Sequence, residues 1–235
     1  MRVLGIVPAR AGSKRLPRKN VRLLGGRPLV VWAIEAARGA VGLARVVVSS
    51  DDPEVLALAA AVDPVLALAR PAELADDTSP AIDYVRHALR ALERADERFD
   101  AIAIIQPSSP FTRSADIDGT VALLQASGAD SAVSVVELDH AIHPVKLKRL
   151  EGDRLWPYLE EERGRMAAHE LPRLFVRNCS VYASRRAVID GGAILGDDCR
   201  GFVMPAERSV DINTARDLLF AEFLLQREAA EGASA

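Results

Sequence analysis

Cysteine is almost absent: the 235 residues hold only Cys179 and Cys199, in no spacing used for metal or redox chemistry. That excludes a disulfide-framed scaffold and suits two reduced thiols in a cytosolic protein. Long apolar runs are missing as well. No stretch approaches the roughly 18 residues needed to span a bilayer, and the amino terminus lacks the basic, apolar, small-residue order of a signal peptide. A cytoplasmic location without a membrane partner is therefore expected. The net charge of -3 gives no whole-protein attraction to nucleic acid or anionic lipid, so phosphate affinity has to come from a local cluster. GxxxxGK[ST] and GxGxxG are both missing, which disfavours a P-loop NTPase and a dinucleotide dehydrogenase. Gly-x-Ser-x-Gly is missing too, and no Ser-His-Asp arrangement can be read. There is no internal repeat and no low-complexity segment.

What remains has ordinary globular proportions, 49% hydrophobic and 27% charged. The length suits one large domain, taken here as residues 1–230 with a frayed tail at 231–235. Short β-branched runs alternate with segments of helical period, the sign of a mainly parallel α/β sheet. Strands are expected at Val3–Val7, Arg45–Ser49, Ala101–Gln106, Ser131–Val136, NCSVYAS from Asn178, and RSVDIN from Arg208. The run AIAIIQ is apolar almost throughout and should lie centrally, buried on both faces. Helices are expected from Pro28, from the capped start DDPEV, from Ser79-Pro80 with the Ser hydroxyl as cap, around Asp116–Gln125, and from Thr214 to about Ala229 with Thr214 and Asp217 as a capping box. Residues 140–175 break the rhythm with Pro, Gly and many charges and read as an excursion from the sheet. Trp32 and Trp156 read as packing residues.

Chemistry concentrates in two places. PARAGSKRLPRKN, Pro8 to Asn20, sets Arg10, Lys14, Arg15, Arg18 and Lys19 between a strand and a helix, with Gly12 and Ser13 letting backbone amides approach an anion. Forked guanidinium donors and mobile ammonium charges together neutralise a polyphosphate; a solvated surface loop is the plainer reading. The position after the first strand favours phosphate, because open α/β sheets bind ligands at the carboxyl ends of their strands. In SVDINT, the period-2 alternation of a strand puts Asp211 and Asn213 on one face, where both can reach one hard cation such as Mg²⁺. The alternative is that Asn213 only starts the last helix and Asp211 makes a surface hydrogen bond. Gln106 ends the central strand and presents an amide either to the ligand crevice or to a neighbouring loop. Arg70 and Ser79 are similar cases. His140 and His143 have a zinc-like gap but no further ligand nearby.

Several motifs, in order and in register, resemble the acylneuraminate cytidylyltransferases, the CMP-sialic acid synthetases: IVPARAGSKRLPRKN, GRPLVVWAIEAA, VVVSSDD, RPAELADDTS, IIQPSSPFTRSADI, HPVKLK and SVDINTARDL. The similarity runs from about Leu4 to Leu218. It implies a three-layer, nucleotidyltransferase-like (Rossmann-like) α/β fold with a mainly parallel sheet. The implied reaction is a Mg²⁺-dependent transfer of CMP from CTP to the anomeric hydroxyl of a nine-carbon 2-keto sugar acid, with release of pyrophosphate. By position, Arg10, Ser13, Lys19 and Asn20 match the CTP-binding loop, with Lys14 a further nucleotide-binding candidate beside them, and Arg70 and Ser79 match contacts around base and ribose. Gln106 and Lys146 match the sugar site, and Asp211 matches the first metal-binding acid. Arg10, Lys19 and Asp211 are thereby the implied catalytic residues, and Asp211 with Asn213 the metal pair. The excursion at 140–175 implies a homodimer in which one subunit reaches over the other's sugar site. Two departures stand out. Many members carry a second acid where this chain has Asn213, and Arg-Arg-Gln-Asp-Leu-Pro where it has MAAHELP, Met166 to Pro172, so Arg177 or Arg173 would have to meet the sugar acid. Other acceptors that fit the same chemistry are Kdo, legionaminic or pseudaminic acid, or a phosphonate. A nucleotide-binding module without catalysis is the reading from another class.

Overall fold

The computed structural model describes residues 1–159 and 171–232. Its centre is a seven-stranded sheet. The first strand, β1 (Val3–Pro8), is followed by the short strands β2 (Leu23–Leu24) and β3 (Arg27–Pro28), helix α1 (Leu29–Gly39), β4 (Arg45–Ser50), α2 (Pro53–Ala60) and β5 (Leu66–Ala69). Then come α3 (Ala81–Glu93), β6 (Ala101–Ile105), α4 (Ser114–Ser127), β7 (Ser131–Glu137) and a hairpin of β8 (Lys148–Glu151) and β9 (Arg154–Pro157). The chain closes with β10 (Phe175–Arg185), α5 (Arg186–Asp190), β11 (Cys199–Val203) and α6 (Ala215–Gly232). Strand order is β11-β7-β10-β6-β1-β4-β5. Only β10 runs against its neighbours, β6 and β7; the other pairs are parallel.

Alternation along the strands builds the three layers. Val3 and Val7 of β1, Val46 and Val48 of β4, and Ala101, Ala103 and Ile105 of β6 face α1, α2 and α4. The intervening Leu4, Ile6, Val47, Ile102 and Ile104 face α3 and Ile189 of α5. AIAII is buried at every position, as a central strand covered on both faces must be. A third, smaller core joins Leu16 of the basic loop, Leu24, Leu29, Ile212 and Ala221, with Trp32, Val210 and Leu218 packed against it.

Four expectations need correction. RSVDIN is not a strand. Its backbone donors go elsewhere, Ile212 N to the carbonyl of Ser108 at 2.7 Å and Asn213 N to Asp217 Oδ2 at 2.8 Å, so no ladder forms. The Ser79 hydroxyl does not cap α3: it donates to the carbonyl of Glu73 at 2.9 Å, and the capping position falls on Pro80, which has no side-chain acceptor. Pro28 precedes α1 and pairs in β3 instead of entering the first turn. Trp156 is exposed on β9, stacked under the Arg154 guanidinium at 4.1 Å, whereas Trp32 does pack. The excursion contains the β8–β9 hairpin, which pairs only with itself. By contrast Asp52 caps α2 through Glu54 N at 2.9 Å, and Thr214 N donates to Asp217 Oδ2 at 2.7 Å in the expected capping box. Helix α6 continues past Ala229 to Gly232; residues 233–235 lie outside the described residues.

Ile104 is fully enclosed between α3 and the sheet, so Ile104→Ala should lower stability by about 2–5 kcal/mol, the range for emptying such a site. Urea unfolding followed by far-UV circular dichroism measures it; an unchanged midpoint would mean that face of the sheet is not packed as described.

Candidate active site

The basic loop follows β1 and is held from below. Ala9 N donates to the Ser49 carbonyl at 3.0 Å and Ala11 N to Asp51 Oδ1 at 2.8 Å. Asn20 Nδ2 donates to the Arg10 carbonyl at 2.9 Å, closing the loop on itself. Arg18 turns the chain in the left-handed region, φ 55°, and Leu16 is buried in the third core. With backbone and Leu16 tied down, four of the five cationic side chains face one cavity of about 460 Å³, while Arg18 turns away to pair with Glu54. Arg10, Ser13, Lys14, Arg15, Lys19, Asn20, Gln106 and Asn213 line it together with Asp77. An adjoining cavity of about 290 Å³ is lined by Arg70, Ser79 and Tyr84 and shares Arg10, Asp77 and Gln106. Both lie at the carboxyl ends of β1 and β6, where the strand sequence leads the loops out of the sheet.

The far end of the chain is drawn to the same cavity. Lys19 Nζ donates to the Ile212 carbonyl at 3.0 Å and to Asn213 Oδ1 at 3.3 Å, and Arg15 Nη2 donates to Asn213 Oδ1 at 2.9 Å. Asn213 Nδ2 in turn donates to Asp211 Oδ2 at 2.6 Å. The other oxygen, Asp211 Oδ1, is shut off from solvent and has no hydrogen-bond partner. Burial pushes the Lys19 pKa below its ordinary value; the Asp211 carboxylate opposes this, and the Arg15 and Arg10 charges add to it. Although 209–213 form no strand, their side chains still alternate: Val210 and Ile212 pack into the third core while Asp211 and Asn213 turn to the cations. Just upstream, Arg208 grips the buried Asp116 of α4 at 3.1 and 2.6 Å, which fixes where this segment starts.

Residue type and spacing do not single out Asp77, yet its carboxylate takes Arg10 Nη2 at 2.8 Å and also Lys14. Hydrogen bonding from Lys14 holds its pKa below the usual carboxylate value. Arg70 is buried, donates to Ser49 Oγ at 3.1 Å and the Ser49 carbonyl at 2.8 Å, and stacks on Tyr84 at 4.5 Å. Burial pushes the Tyr84 hydroxyl up to about 12, the Arg70 charge working against it. Nor does the strand pattern mark Tyr182: burial, then a hydrogen bond with Cys179, raise its pKa. Cys179 and Cys199 are unpaired thiols.

Lys146 and Arg177 line neither cavity. Lys146 Nζ lies 2.9 Å from Nδ1 of His140, and Arg177 is exposed on β10. Arg173 is engaged by Glu137 at 2.9 Å. Of MAAHELP, Met166–Glu170 lie outside the described residues. Among the described residues no group of three or more His, Cys, Asp and Glu gathers as a metal cage, so a cation held here would draw most of its oxygen ligands from phosphate and water, as Mg²⁺ commonly does. Asp211 lines neither cavity itself; its buried, unsatisfied Oδ1, next to Asn213, is the one carboxylate oxygen left over for such an ion.

A mainly parallel three-layer sheet with a cation-lined cavity over its carboxyl edge is the architecture of a nucleotidyltransferase-like α/β protein. The model of the cytidylyltransferase family matches residues 4–190, and the chain belongs to that family. It is 31% identical over 230 residues to the CMP-N,N'-diacetyllegionaminic acid synthase of Legionella pneumophila, covering 96% of this chain and 97% of the relative. It is 25% identical to the N-acylneuraminate cytidylyltransferase of Escherichia coli, covering 97% of this chain and 53% of that longer protein. In fold it is similar to a solved CMP:2-keto-3-deoxy-manno-octonic acid synthetase complexed with CTP, with a TM-score of 0.72, 20% identity, and coverage of 97% and 100%.

The amide of Asn213 separates the Asp211 carboxylate from the two cations, and an aspartate there could not donate to Asp211. Asn213→Asp would set two carboxylates about one hydrogen bond apart, an arrangement that opposes ionisation of both. The metal-free variant should melt several degrees lower, about 2–4 °C for each kcal/mol lost, and millimolar Mg²⁺ should recover part of it. Calorimetric melts with and without Mg²⁺ check this; equal melting temperatures for variant and parent would contradict the contact.

Proposed function

We infer that this cytidylyltransferase transfers CMP from CTP to the anomeric hydroxyl of a nonulosonic, sialic-acid-like sugar acid and releases pyrophosphate. The observation that carries the reading is the meeting of the amino-terminal cations with Asn213 at one cavity, with Asp211 held directly behind Asn213 by its side-chain amide. The names of the relatives, a legionaminic acid synthase and an N-acylneuraminate cytidylyltransferase, support the acceptor class. The sugar oxygen attacks the α-phosphorus in line as the bond to the bridging oxygen of pyrophosphate breaks. Such a reaction asks the protein for positioning and for neutralisation of phosphate charge.

In this reading Arg10, Lys14 and Lys19 take the triphosphate, with Ser13 and Asn20 shaping the loop around it. Asp77 must then give up Arg10 and Lys14, since its carboxylate occupies the donors a phosphate would use. Arg70 and Ser79 serve the nucleoside in the adjoining cavity, and Gln106, which borders both cavities, serves the junction with the sugar. Asp211 Oδ1 would hold Mg²⁺, which supplies charge neutralisation at the phosphates when bound. Asn213, its amide oxygen already taken by Arg15 and Lys19, keeps Asp211 and the cations in register.

We further propose a homodimer. The excursion exposes Leu147, Leu150, Leu155 and Trp156, and nearby Phe175 and Val176, an apolar surface that a second copy would cover. Lys146 and Arg177, away from their own cavity, would then meet the acceptor carboxylate across that interface. A cytoplasmic setting is part of the proposal; it is supported by the two unpaired thiols, and no described helix is long and apolar enough to cross a membrane. Kdo is the alternative acceptor, favoured by the fold neighbour.

Pyrophosphate release, measured with each of the four nucleoside triphosphates across neuraminic, legionaminic, pseudaminic and Kdo acceptors, tests the assignment. CTP with a nonulosonic acid should stand out; release with Kdo alone would move the protein to the alternative, and none at all to a binding module. Asp211→Ala should cut turnover about 100- to 1,000-fold, the range for removing one preorganised electrostatic partner of a transition state, without changing the circular dichroism. Light scattering should return twice the chain mass, and Leu150→Lys with Leu155→Lys should halve it. A fully active monomer would defeat the dimer.

A further inference from the structure

Helix α3 buries one face and turns the other outward, and that outer face is charged in an unusual way. Arg86, Arg90 and Arg94 follow one another at intervals of four residues, so they stack along one file of the helix, where neighbouring like charges destabilise it by about 0.2–0.5 kcal/mol a pair. They do not face open solvent alone. With Leu74, Asp83, His87 and Ala91 they line a groove of about 240 Å³ between the turn at Ala72–Leu74 and the helix. A neighbouring hollow of about 380 Å³ toward α5 shares Arg86 and Arg90.

Three arginines on one groove without a direct ion pair contrast with those matched to acids, such as Arg2 with Glu97 at 2.7 Å, Arg208 with Asp116 at 2.6 Å and Arg200 with Asp198 at 2.9 Å. In the groove the acids are spent. Glu93 and Asp190 are both held by Arg186, which leaves Asp83, and Glu73 near His87, against three guanidinium groups. Arg86 is anchored by the carbonyls of Ile189 and Asp190, each 3.0 Å from Nη2, so its position is set in advance. The side chains of Arg90 and Arg94 are exposed and enter no ion pair among the described residues. His87 borders the same groove, and its Nδ1 has no partner. In a protein of net charge -3, a concave cluster of three guanidinium forks, one of them fixed in advance and together in excess over the acids beside them, matches the geometry of phosphate oxygens.

We propose that the groove between the Ala72–Leu74 turn and α3 is a second anion site, distinct from the cavity over β1, that takes a small phosphate-bearing molecule on Arg86, Arg90 and Arg94. Its size admits a phosphate group with a small substituent and not a macromolecular surface. Leu74 borders both this groove and the cavity that holds Arg70 and Tyr84, so the two sites share a wall.

Isothermal titration with inorganic pyrophosphate, free of divalent ions, tests it on the full chain. Two molecules should bind per chain. Arg90→Glu combined with Arg94→Glu should remove one of them, or weaken it at least tenfold, while melting temperature and turnover stay as in the parent. Arg10→Ala combined with Lys19→Ala should remove the other. Unchanged stoichiometry and affinity in the Arg90/Arg94 variant would overturn the second site whatever the outcome at Arg10 and Lys19, and failure of the Arg10/Lys19 variant alone would count against the proposed function instead. A parallel titration with CMP separates the sources: displacement of pyrophosphate from the second site supports a nucleotide, and its retention there supports free phosphate or pyrophosphate.

Discussion

One half-buried ammonium ties the two ends of the molecule together. Lys19 comes from the loop after β1, and its acceptors, the Ile212 carbonyl and Asn213 Oδ1, come from a segment nearly two hundred residues later. Taking an ammonium out of water is expensive, and burial accordingly pulls its pKa down. What offsets that cost is a set of oxygens placed where the charge lands: a carbonyl, an amide oxygen and the nearby Asp211 carboxylate. If that segment were displaced, the loop would keep its cations but lose the groups that hold Lys19 among them.

The placement of that segment depends in turn on apolar packing and one ion pair. Val210 and Ile212 join Leu16, Leu24 and α6 in a small core, so the same cluster that anchors the basic loop anchors its partner. Arg208 reaches the buried Asp116, breaking of which would leave a buried charge uncompensated. Order thus passes from the packed side chains outward to the polar ones: the hydrophobic residues select the position, and the hydrogen bonds of Asn213 select the orientation of Asp211. The same logic explains why Asp211 keeps one unsatisfied oxygen. Asn213 Nδ2 occupies one side of the carboxylate and leaves the other to a ligand.

Much of the sheet was readable from local pattern. AIAII announces a strand covered on both faces, Asp52-Pro53 a capped helix, and Thr214 with Asp217 a capping box, because each depends on residues a few positions apart. RSVDIN has the right alternation for a strand and is none, because a strand also needs a neighbour to pair with, and here Ser108 and Asp217 take the backbone donors instead. Ser79 has the right residue type for a cap but donates to Glu73, a choice made by the loop's path. At the site, the cations of the loop were legible as a cluster. The bond of Asp77 to Arg10 and Lys14 and the stacking of Arg70 on Tyr84 were not, since each joins different elements of the fold; nor was the hydrogen bond of Tyr182 with Cys179, which lies within β10 but depends on how that irregular strand is buried.

The sequence by itself determined the alternation of strands and helices, the phosphate-suited loop after the first strand, and the Asp-x-Asn pair near the carboxyl end, since residue type and short-range spacing are all these require. Only the tertiary structure decided that the pair closes on Lys19 and Arg15, that Asn213 faces cations as well as Asp211, and that Lys146 and Arg177 stand apart from the cavity. Those outcomes turn on which distant side chains share a few ångströms of poorly hydrated space, and that proximity is set by how the sheet, α4 and α6 pack together.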